Sequence, residues 1–237
     1  MGDDTSKDRF VVIGDGDNVV NITLIWRGLI PEDWERLPNA PSRRIAGLGP
    51  ANKGDVAKGS IQTEQSITVA GYGAMTVNNE PKFSPSWLPE RAGRLLAFFL
   101  GHYHLFTPYG LHKYEWNPEK AEFIEAWVNK EVSSPNSVPQ VSIGSNVVYT
   151  CGTRQGKWSI EAIDWSTGES LGYWLTGDSR FNTLGGGVQL DNDGQVVFGK
   201  EVRGKQRVSI VPENGEEPSN YLIPKGKHIN FNQGEKI

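Results

Sequence analysis

The sequence predicts an all-β protein built from repeated units of four short antiparallel strands. One segment recurs at a nearly fixed spacing, since Trp116 and Trp165 stand 49 residues apart and Gly168 and Gly215 stand 47 residues apart. The composition agrees, because 28 glycines and 14 prolines among 237 residues are typical of many short strands joined by turns. Four strands in a period of roughly 40–50 residues make the blade of a β-propeller. We therefore expect a partial β-propeller of about three and a half four-stranded blades.

Each copy of the repeated segment predicts a strand, a tight turn and a second strand that closes on an aromatic residue. The copies and their aromatic residues are Tyr114–Lys120 with Trp127, Ala162–Glu169 with Trp174, and Ser209–Glu216 with Tyr221. A second segment repeats with nearly the same period, because Asn146–Tyr149 recurs 49 residues later as Gln195–Phe198. Both repeated segments are rich in Val, Ile and aromatic residues and are bounded by Gly, Asn and Asp, which is the pattern of short strands.

The predicted units form a single array over residues 1–237. Their bounds are 9–60 for a partial first unit, 61–130 for the second with an insertion at 78–110, 137–177 for the third, 185–225 for the fourth and 226–237 for a tail. The first unit opens with Phe10–Ile13 and Val20–Trp26, so we expect it to start at its second strand. In the insertion, the apolar run Leu95–Leu100 is expected to cover a blade, to contact a partner or to form a short helix.

The strands of the complete units follow from the same pattern of apolar runs and turn residues. The second unit has Glu64–Ala70, Ala74–Val77, Leu111–Trp116 and Phe123–Val128. The third has Val138–Ile143, Asn146–Cys151, Trp158–Trp165 and Leu171–Thr176. The fourth has Gly187–Asp191, Gln195–Lys200, Gln206–Val211 and Asn220–Pro224.

The motif Ala162-x-Asp164-x-x-Thr167-Gly168 resembles the blade motif of the quinoprotein-like (PQQ-type) β-propellers. In that family a Trp a few residues later docks between blades. Here Gly172 occupies the usual Trp position and Trp174 lies two residues beyond it. The other copies reduce the motif to Glu115-x-x-Pro118 and Val211-x-x-Asn214-Gly215. The resemblance implies structural roles for these residues: a carboxylate that binds turn amides, a glycine for positive φ and an aromatic wedge.

The unit count predicts that this chain does not close into a ring alone. We expect it to be the C-terminal part of a longer bacterial member of the family. An N-terminal half-propeller or a second copy of the chain would then complete the array. Members of the family bind PQQ with Ca²⁺, but the motif also occurs in cofactor-free propellers, so the resemblance leaves the cofactor open.

Composition and charge exclude several classes of protein. The net charge of −4 argues against nucleic acid as a partner, because phosphate binding needs a basic surface. The single cysteine, Cys151, precludes an internal disulfide. No apolar run reaches the roughly 18 residues of a membrane span, and residues 1–10 lack the apolar core of a signal peptide. We expect a soluble chain, and a periplasmic or secreted location stays open if the chain belongs to a longer precursor.

The long segments are expected to gather on one face of the array. In a propeller the turns between second and third strands share a face with the links between blades, and the resemblance implies that ligands bind there. The longest such segments are Arg27–Thr63, Asn78–Gly110, Asn129–Pro139 and Gly177–Gly186, with a short turn at Thr153–Lys157. Candidate residues there for a small polar or anionic ligand are Glu64, Asn136, Arg154, Arg180 and Asn182. The alternative is that these side chains cap strand ends and turns.

His102 and His104 are weak candidates for a metal site. Two histidines at i and i+2 on a strand face the same side and would need a third ligand. Packing or solvent roles within the insertion are the alternative reading.

Three functions remain open. The absence of a catalytic motif favours a ligand-binding or protein-interaction module. The second is a quinone-dependent oxidoreductase, or another propeller enzyme, with its site on the long-loop face and completed by sequence outside this chain. The third is a purely structural module.

Overall fold

A computed structural model describes residues 1–2, 5–17, 19–53, 55, 57, 59–63, 65–177, 188–190, 196–200 and 204–208. These residues are mostly β, with one α-helix. Their strands form four antiparallel sheets that follow one another along the chain. None of the helical segments among these residues has the length and apolar character of a membrane span. The prediction of an all-β architecture is thus confirmed at the level of its sheets.

Each sheet is a meander whose strands pair in chain order. The first contains β1 (Phe10–Gly14), β2 (Asn21–Trp26) and β3 (Ile45–Pro50). The second contains β4 (Thr68–Ala70), β5 (Gly73–Thr76), β6 (Leu111–Asn117) and β7 (Glu122–Asn129), with helix α1 (Glu90–Leu100) between β5 and β6. The third contains β8 (Gln140–Ser142), β9 (Val147–Arg154), β10 (Lys157–Asp164) and β11 (Ser170–Gly177). The fourth contains β12 (Val188–Leu190), β13 (Val196–Lys200) and β14 (Gly204–Val208).

The hairpin predicted over Ala162–Trp174 is confirmed, and its turn has the predicted chemistry. Strands β10 and β11 pair antiparallel around it. The Asp164 carboxylate accepts hydrogen bonds from the backbone amides of Ser166 and Thr167 at 2.9 and 2.8 Å. Gly168 adopts a φ of +76°, a conformation that side chains other than glycine rarely take. The turn therefore forms because a short acceptor and a glycine stand at the two positions that need them.

Strand β3 corrects the prediction that residues 27–63 are one long loop. It pairs antiparallel with β2 and completes a three-stranded first sheet. The sequence pattern did not predict this strand, because Ile45–Pro50 contains two glycines and a proline, and these residues are depleted in strands. Gly47 has a packing reason, since a Cβ atom there would lie 2.9 Å from the Cβ of Phe123 in β7.

The apolar run of the insertion forms helix α1, one of its three predicted states. One side of the helix carries small residues, among them the buried Gly93 and Ala97. Just beyond its C-terminal end, a Cβ atom at Gly101 would lie 2.9 Å from the Pro135 side chain. Gly101 thus allows the chain just beyond the helix to lie against Pro135, in the segment between the second and third sheets. Leu95 and Phe99, on another side, are exposed.

Apolar cores lie between consecutive sheets. Phe10, Trp26 and Trp116 belong to a core between the first and second sheets. Trp127 and Trp165 belong to a core between the second and third sheets, and Trp174 packs with Val188 between the third and fourth. The side chains of Trp165 and Trp174 are 7% and 4% exposed, which confirms that both are buried between sheets. The third copy of the repeated segment, the strand at 220–224 and the tail 226–237 lie outside the described residues.

Candidate functional site

Three of the segments predicted to share a face meet in the structure. They are the insertion 78–110, the link 129–139 and the β9–β10 turn at 153–157. The hydrogen bonds that join them are Asn79 Nδ2 to the Pro135 carbonyl at 2.5 Å, Asn136 Nδ2 to the Phe98 carbonyl at 3.0 Å and the Thr153 amide to the Ser133 carbonyl at 2.8 Å. We call this region the loop junction. It has a polar interior, because 132–137 is a buried segment rich in serine.

In the loop junction, buried asparagine side chains form hydrogen bonds with backbone groups that are not paired as in a β-sheet. The side-chain oxygen Oδ1 of Asn78 accepts hydrogen bonds from the backbone amides of Gln62 and Glu80 at 3.2 and 3.0 Å. The side-chain nitrogen Nδ2 of Asn78 donates to the backbone carbonyl of Ser60 at 3.2 Å, so the segment 59–63 belongs to the same hydrogen-bond network. Because buried backbone groups need partners, these side chains allow irregular segments to pack away from water.

Asn136 lies in the loop junction as predicted, but its role there is a tie between segments. Its side chain is fully buried, and its amide donates to the carbonyl of Phe98 in helix α1. The sequence alternatives were ligand binding and capping. The side-chain nitrogen is engaged with the protein itself, and ligand binding by Asn136 stays a prediction.

We expect Asn136→Ala to lower the free energy of unfolding by about 1–3 kcal/mol, because it removes the hydrogen bond of a fully buried side chain to the Phe98 carbonyl. Urea denaturation provides the measurement. Asn39→Ala, at an exposed turn, is the control and should change stability by less than about 0.5 kcal/mol. Equal stability of the two variants would show that the Asn136 tie contributes nothing.

Arg154, the second candidate, is held by carboxylates. Its Nε and Nη2 atoms donate to Glu161 at 3.3 and 3.2 Å, and Nη2 also donates to Ser170 Oγ at 2.7 Å. Nη1 donates to Glu131 at 3.4 Å, and the guanidinium lies 4.5 Å from the centre of the Tyr173 ring. Protein acceptors thus engage Nε, Nη1 and Nη2, and the role of Arg154 in binding an anionic ligand stays a prediction.

Glu161 is the buried partner that explains this arrangement. Its side chain is 0% exposed, and it also accepts a hydrogen bond from the Ser159 hydroxyl. Burial raises the pKa of Glu161, while the Arg154 guanidinium and the Ser159 hydroxyl oppose that rise. Burial alone would lower the pKa of Arg154, but the Glu161 and Glu131 carboxylates together outweigh burial and raise it. Arg154 therefore remains charged and needs the carboxylate beside it.

Buried serine and threonine hydroxyls complete one side of the link 129–139. Ser134 Oγ lies 2.7 Å from Thr150 Oγ1 and donates to the Cys151 carbonyl at 2.9 Å. Ser137 Oγ accepts from the Cys151 amide at 3.3 Å. Sequence reasoning did not single out these residues, although the run of small polar residues directly before a predicted strand was visible.

The two candidate metal ligands do not share a strand face. His102 and His104 lie in turns that follow helix α1, which removes the premise of the predicted pair. His102 is buried with its ring 5.7 Å from that of Trp158, and His104 is exposed. Among the residues described, no group of three or more His, Cys, Asp or Glu side chains could hold a metal ion. Glu64, Arg180 and Asn182 lie outside those residues.

Comparison with known proteins gives relatives but no family, since no family model matches the chain. An uncharacterised protein of Archaeoglobus fulgidus is 37% identical over 168 residues, which are 70% of this chain and 32% of that protein. The chain thus spans about a third of the length of this relative.

Shorter matches are to the β′ subunit of DNA-directed RNA polymerase. They are 58% identical over 45 residues in Bdellovibrio bacteriovorus and 48% identical over 50 residues in a Marinomonas species. These matches cover 19% and 21% of this chain, but only 3% and 4% of the polymerase subunits.

Proposed function

We propose that this chain is a β-propeller module of about three and a half blades that binds a small polar ligand or a protein partner at its loop junction. The observation that carries the proposal is the meeting of the insertion, the link and the β9–β10 turn at one end of the sheets. Long segments held together on a rigid scaffold are where binding sites concentrate.

Two features of the packing support a propeller-like arrangement. The first strands of consecutive sheets are neighbours, since β8 contacts both β4 and β12. In addition, Trp127 of the second sheet donates from Nε1 to the Trp165 carbonyl, in the turn of the third sheet, at 3.0 Å. This contact has the character of the inter-blade tryptophan docking of the quinoprotein-like propellers.

The described residues do not fit PQQ with Ca²⁺, the cofactor of the alternative oxidoreductase. Among them, no three acidic or histidine side chains gather to hold a cation. Arg154, the guanidinium at the loop junction, is paired with Glu161 and Glu131. The binding module is therefore the better-supported function. The polymerase matches carry no proposal of polymerase activity, because they span so little of those subunits.

Thermal unfolding in the presence of a panel of small polar compounds tests this proposal. A ligand at about 100 times its dissociation constant stabilises by ~2.7 kcal/mol, which corresponds to a rise in Tm of roughly 5–10 °C for a chain of this size. We expect such a rise for at least one polar compound and none for PQQ with Ca²⁺. A rise with PQQ and Ca²⁺ alone would favour the oxidoreductase instead.

Surface variants locate the binding site. Lys130→Ala and Gln155→Ala change exposed positions of the link and the β9–β10 turn. Glu119→Ala changes an exposed turn at the opposite ends of β6 and β7 and serves as the control. If Glu119→Ala abolished the ligand-induced rise in Tm while Lys130→Ala and Gln155→Ala retained it, the binding site would lie away from the loop junction.

We also propose that the first sheet packs against a further sheet, supplied by a second copy of the chain or by a half-propeller. Its outer face carries Val11 and Ile13, each 47% exposed, and Leu48, 39% exposed. Light scattering of the purified chain should show a dimer or larger species, and Val11→Lys should shift it towards the monomer. A monomer at high concentration would contradict association between copies.

A further inference from the structure

We propose that Ser133, Thr153 and Trp158 form a buried site for an acceptor oxygen of a small molecule. We call the three side chains the hydroxyl–indole row. The inference deepens, and rests on, the proposed binding role of the loop junction, because it names a chemical class of ligand and the atoms that would contact it. Water and a small carboxylate or polyol share this oxygen chemistry, and the experiments below distinguish them.

Strand pairing places the three side chains next to one another. Ser133 forms an isolated antiparallel bridge with Thr153 in β9. Thr153 is in turn the partner of Trp158 in β10. Residues directly opposite each other on antiparallel strands project to the same face, with Cβ atoms about 4.5–5.5 Å apart. The row therefore runs across one face of three adjacent backbone segments.

Each member of the row carries a buried polar atom that has no hydrogen-bond partner within the described residues. The atoms are Ser133 Oγ, Thr153 Oγ1 and Trp158 Nε1, on side chains of residues that are 3%, 4% and 0% exposed. Buried polar groups in folded proteins almost always have a partner. Three such atoms at adjacent positions thus indicate a partner from outside this part of the chain.

The opposite side of the same link provides the contrast. There Ser134 is bonded both to Thr150 and to the Cys151 carbonyl. The two sides differ although both are buried and both carry hydroxyls. The unpartnered atoms are consequently a local property of the row and not of the link as a whole.

The chemistry of the row fits an oxygen acceptor. The indole N–H of Trp158 can only donate, while the two hydroxyls both donate and accept. An oxygen atom of water, a carboxylate or a polyol can accept from the indole and exchange hydrogen bonds with the hydroxyls. The ligand must be small, because the row is buried beneath His102, whose ring lies 5.7 Å from that of Trp158.

Removal of one hydroxyl without a change of shape gives the first test. If Thr153 Oγ1 bonds a bound oxygen, Thr153→Val should lower the Tm by ~2–4 °C, as expected for one lost hydrogen bond. Thr150→Val is the matched control, because its hydroxyl is bonded to Ser134, and it should lower the Tm in any case. A rise in Tm for Thr153→Val would overturn the proposal, since it would mean that the hydroxyl is buried without any partner.

Crystals of the full chain grown without additives, with sodium acetate and with glycerol give the second test. We expect an ordered oxygen within about 2.7–3.2 Å of Trp158 Nε1 in every case. Replacement of water by acetate or glycerol would identify a small-molecule site, whereas a water retained in all three crystals would identify water as the source. Absence of any ordered oxygen at Nε1 would overturn the proposal.

Solution binding separates this inference from the proposed function. For the compound that raises the Tm of the wild-type chain, we expect Ser133→Ala or Thr153→Val to weaken binding about 10-fold, the equivalent of one lost hydrogen bond. Unchanged affinity in both variants would leave the proposed function standing and would remove the row as its site. If no compound binds, the proposed small-ligand role fails, and the crystallographic test of the oxygen site still holds.

Discussion

Glu161→Ala is expected to lower the free energy of unfolding by about 3–5 kcal/mol. The change removes the carboxylate that accepts from Nε and Nη2 of Arg154 and leaves that guanidinium largely buried beside it. The exposed Glu131 carboxylate and the Ser170 hydroxyl would remain as acceptors, but the buried carboxylate would be lost, and the loss of one partner of a buried ion pair typically has this magnitude. Chemical denaturation with guanidinium or urea gives the measurement, and the slope of the transition should stay constant.

Two further variants make this result interpretable. Glu122→Ala, at an exposed position of β7, should change stability by less than about 0.5 kcal/mol. The double variant Arg154→Met, Glu161→Leu replaces both charges by apolar groups and should recover much of the loss, because an apolar pair of similar volume is often as stable as a buried ion pair. A loss of stability in the double variant equal to or greater than that in Glu161→Ala would show that packing, and not the loss of the buried charge partner, determines the effect.

Glu161 also shows why the sequence could not reveal this cluster. It stands between Ile160 and Ala162 in a strand, and alternation of apolar and polar residues normally places the polar side chain in water. In this chain both faces of the third sheet are covered, one by the second sheet and one by the fourth. The residue pattern therefore predicted the strand but did not reveal that Glu161 is buried.

The hairpins of the second and third sheets were predictable because their signals are local. The Asp164 and Gly168 positions specify a turn on their own, and the spacing of Trp116 and Trp165 repeats it. Strand β3 was not predictable from local signals. Its Gly47 is required by close packing against Phe123, which is 76 residues away in the sequence. A constraint imposed by a distant side chain leaves no periodic pattern in the strand itself.

The loop junction stands between these two cases. Strand alternation correctly grouped the insertion, the link and the β9–β10 turn, since direction along a meander determines which turns share an end. The roles of individual side chains did not follow from that grouping. Asn136 and Arg154 have polar groups suited to a ligand, but only their contacts with Phe98 and Glu161 show that the protein uses them internally.

Gly168→Ala is expected to destabilise the chain by about 2–4 kcal/mol, because Trp127 of the second sheet docks against this turn of the third. A Cβ atom at position 168 would lie 2.5–2.8 Å from atoms of the Trp127 ring, and the residue has a φ of +76°. Overpacking and backbone strain therefore add. Gly156→Ala is the matched control, with a φ of +72° and its nearest neighbour 4.0 Å away, so it should show the strain alone, at about 1 kcal/mol.

A double-mutant cycle with Trp127→Ala isolates the docking contact. Trp127→Ala alone should cost about 3–5 kcal/mol, as truncation of a buried aromatic does, and it also removes the hydrogen bond to the Trp165 carbonyl. Once the ring is absent, Gly168→Ala should cost no more than Gly156→Ala, because only the positive φ remains. The difference between the two backgrounds measures the coupling across the sheets. If Gly168→Ala costs the same with and without the indole ring, then the second and third sheets are not joined through this contact, and the strongest support for a propeller-like arrangement is lost.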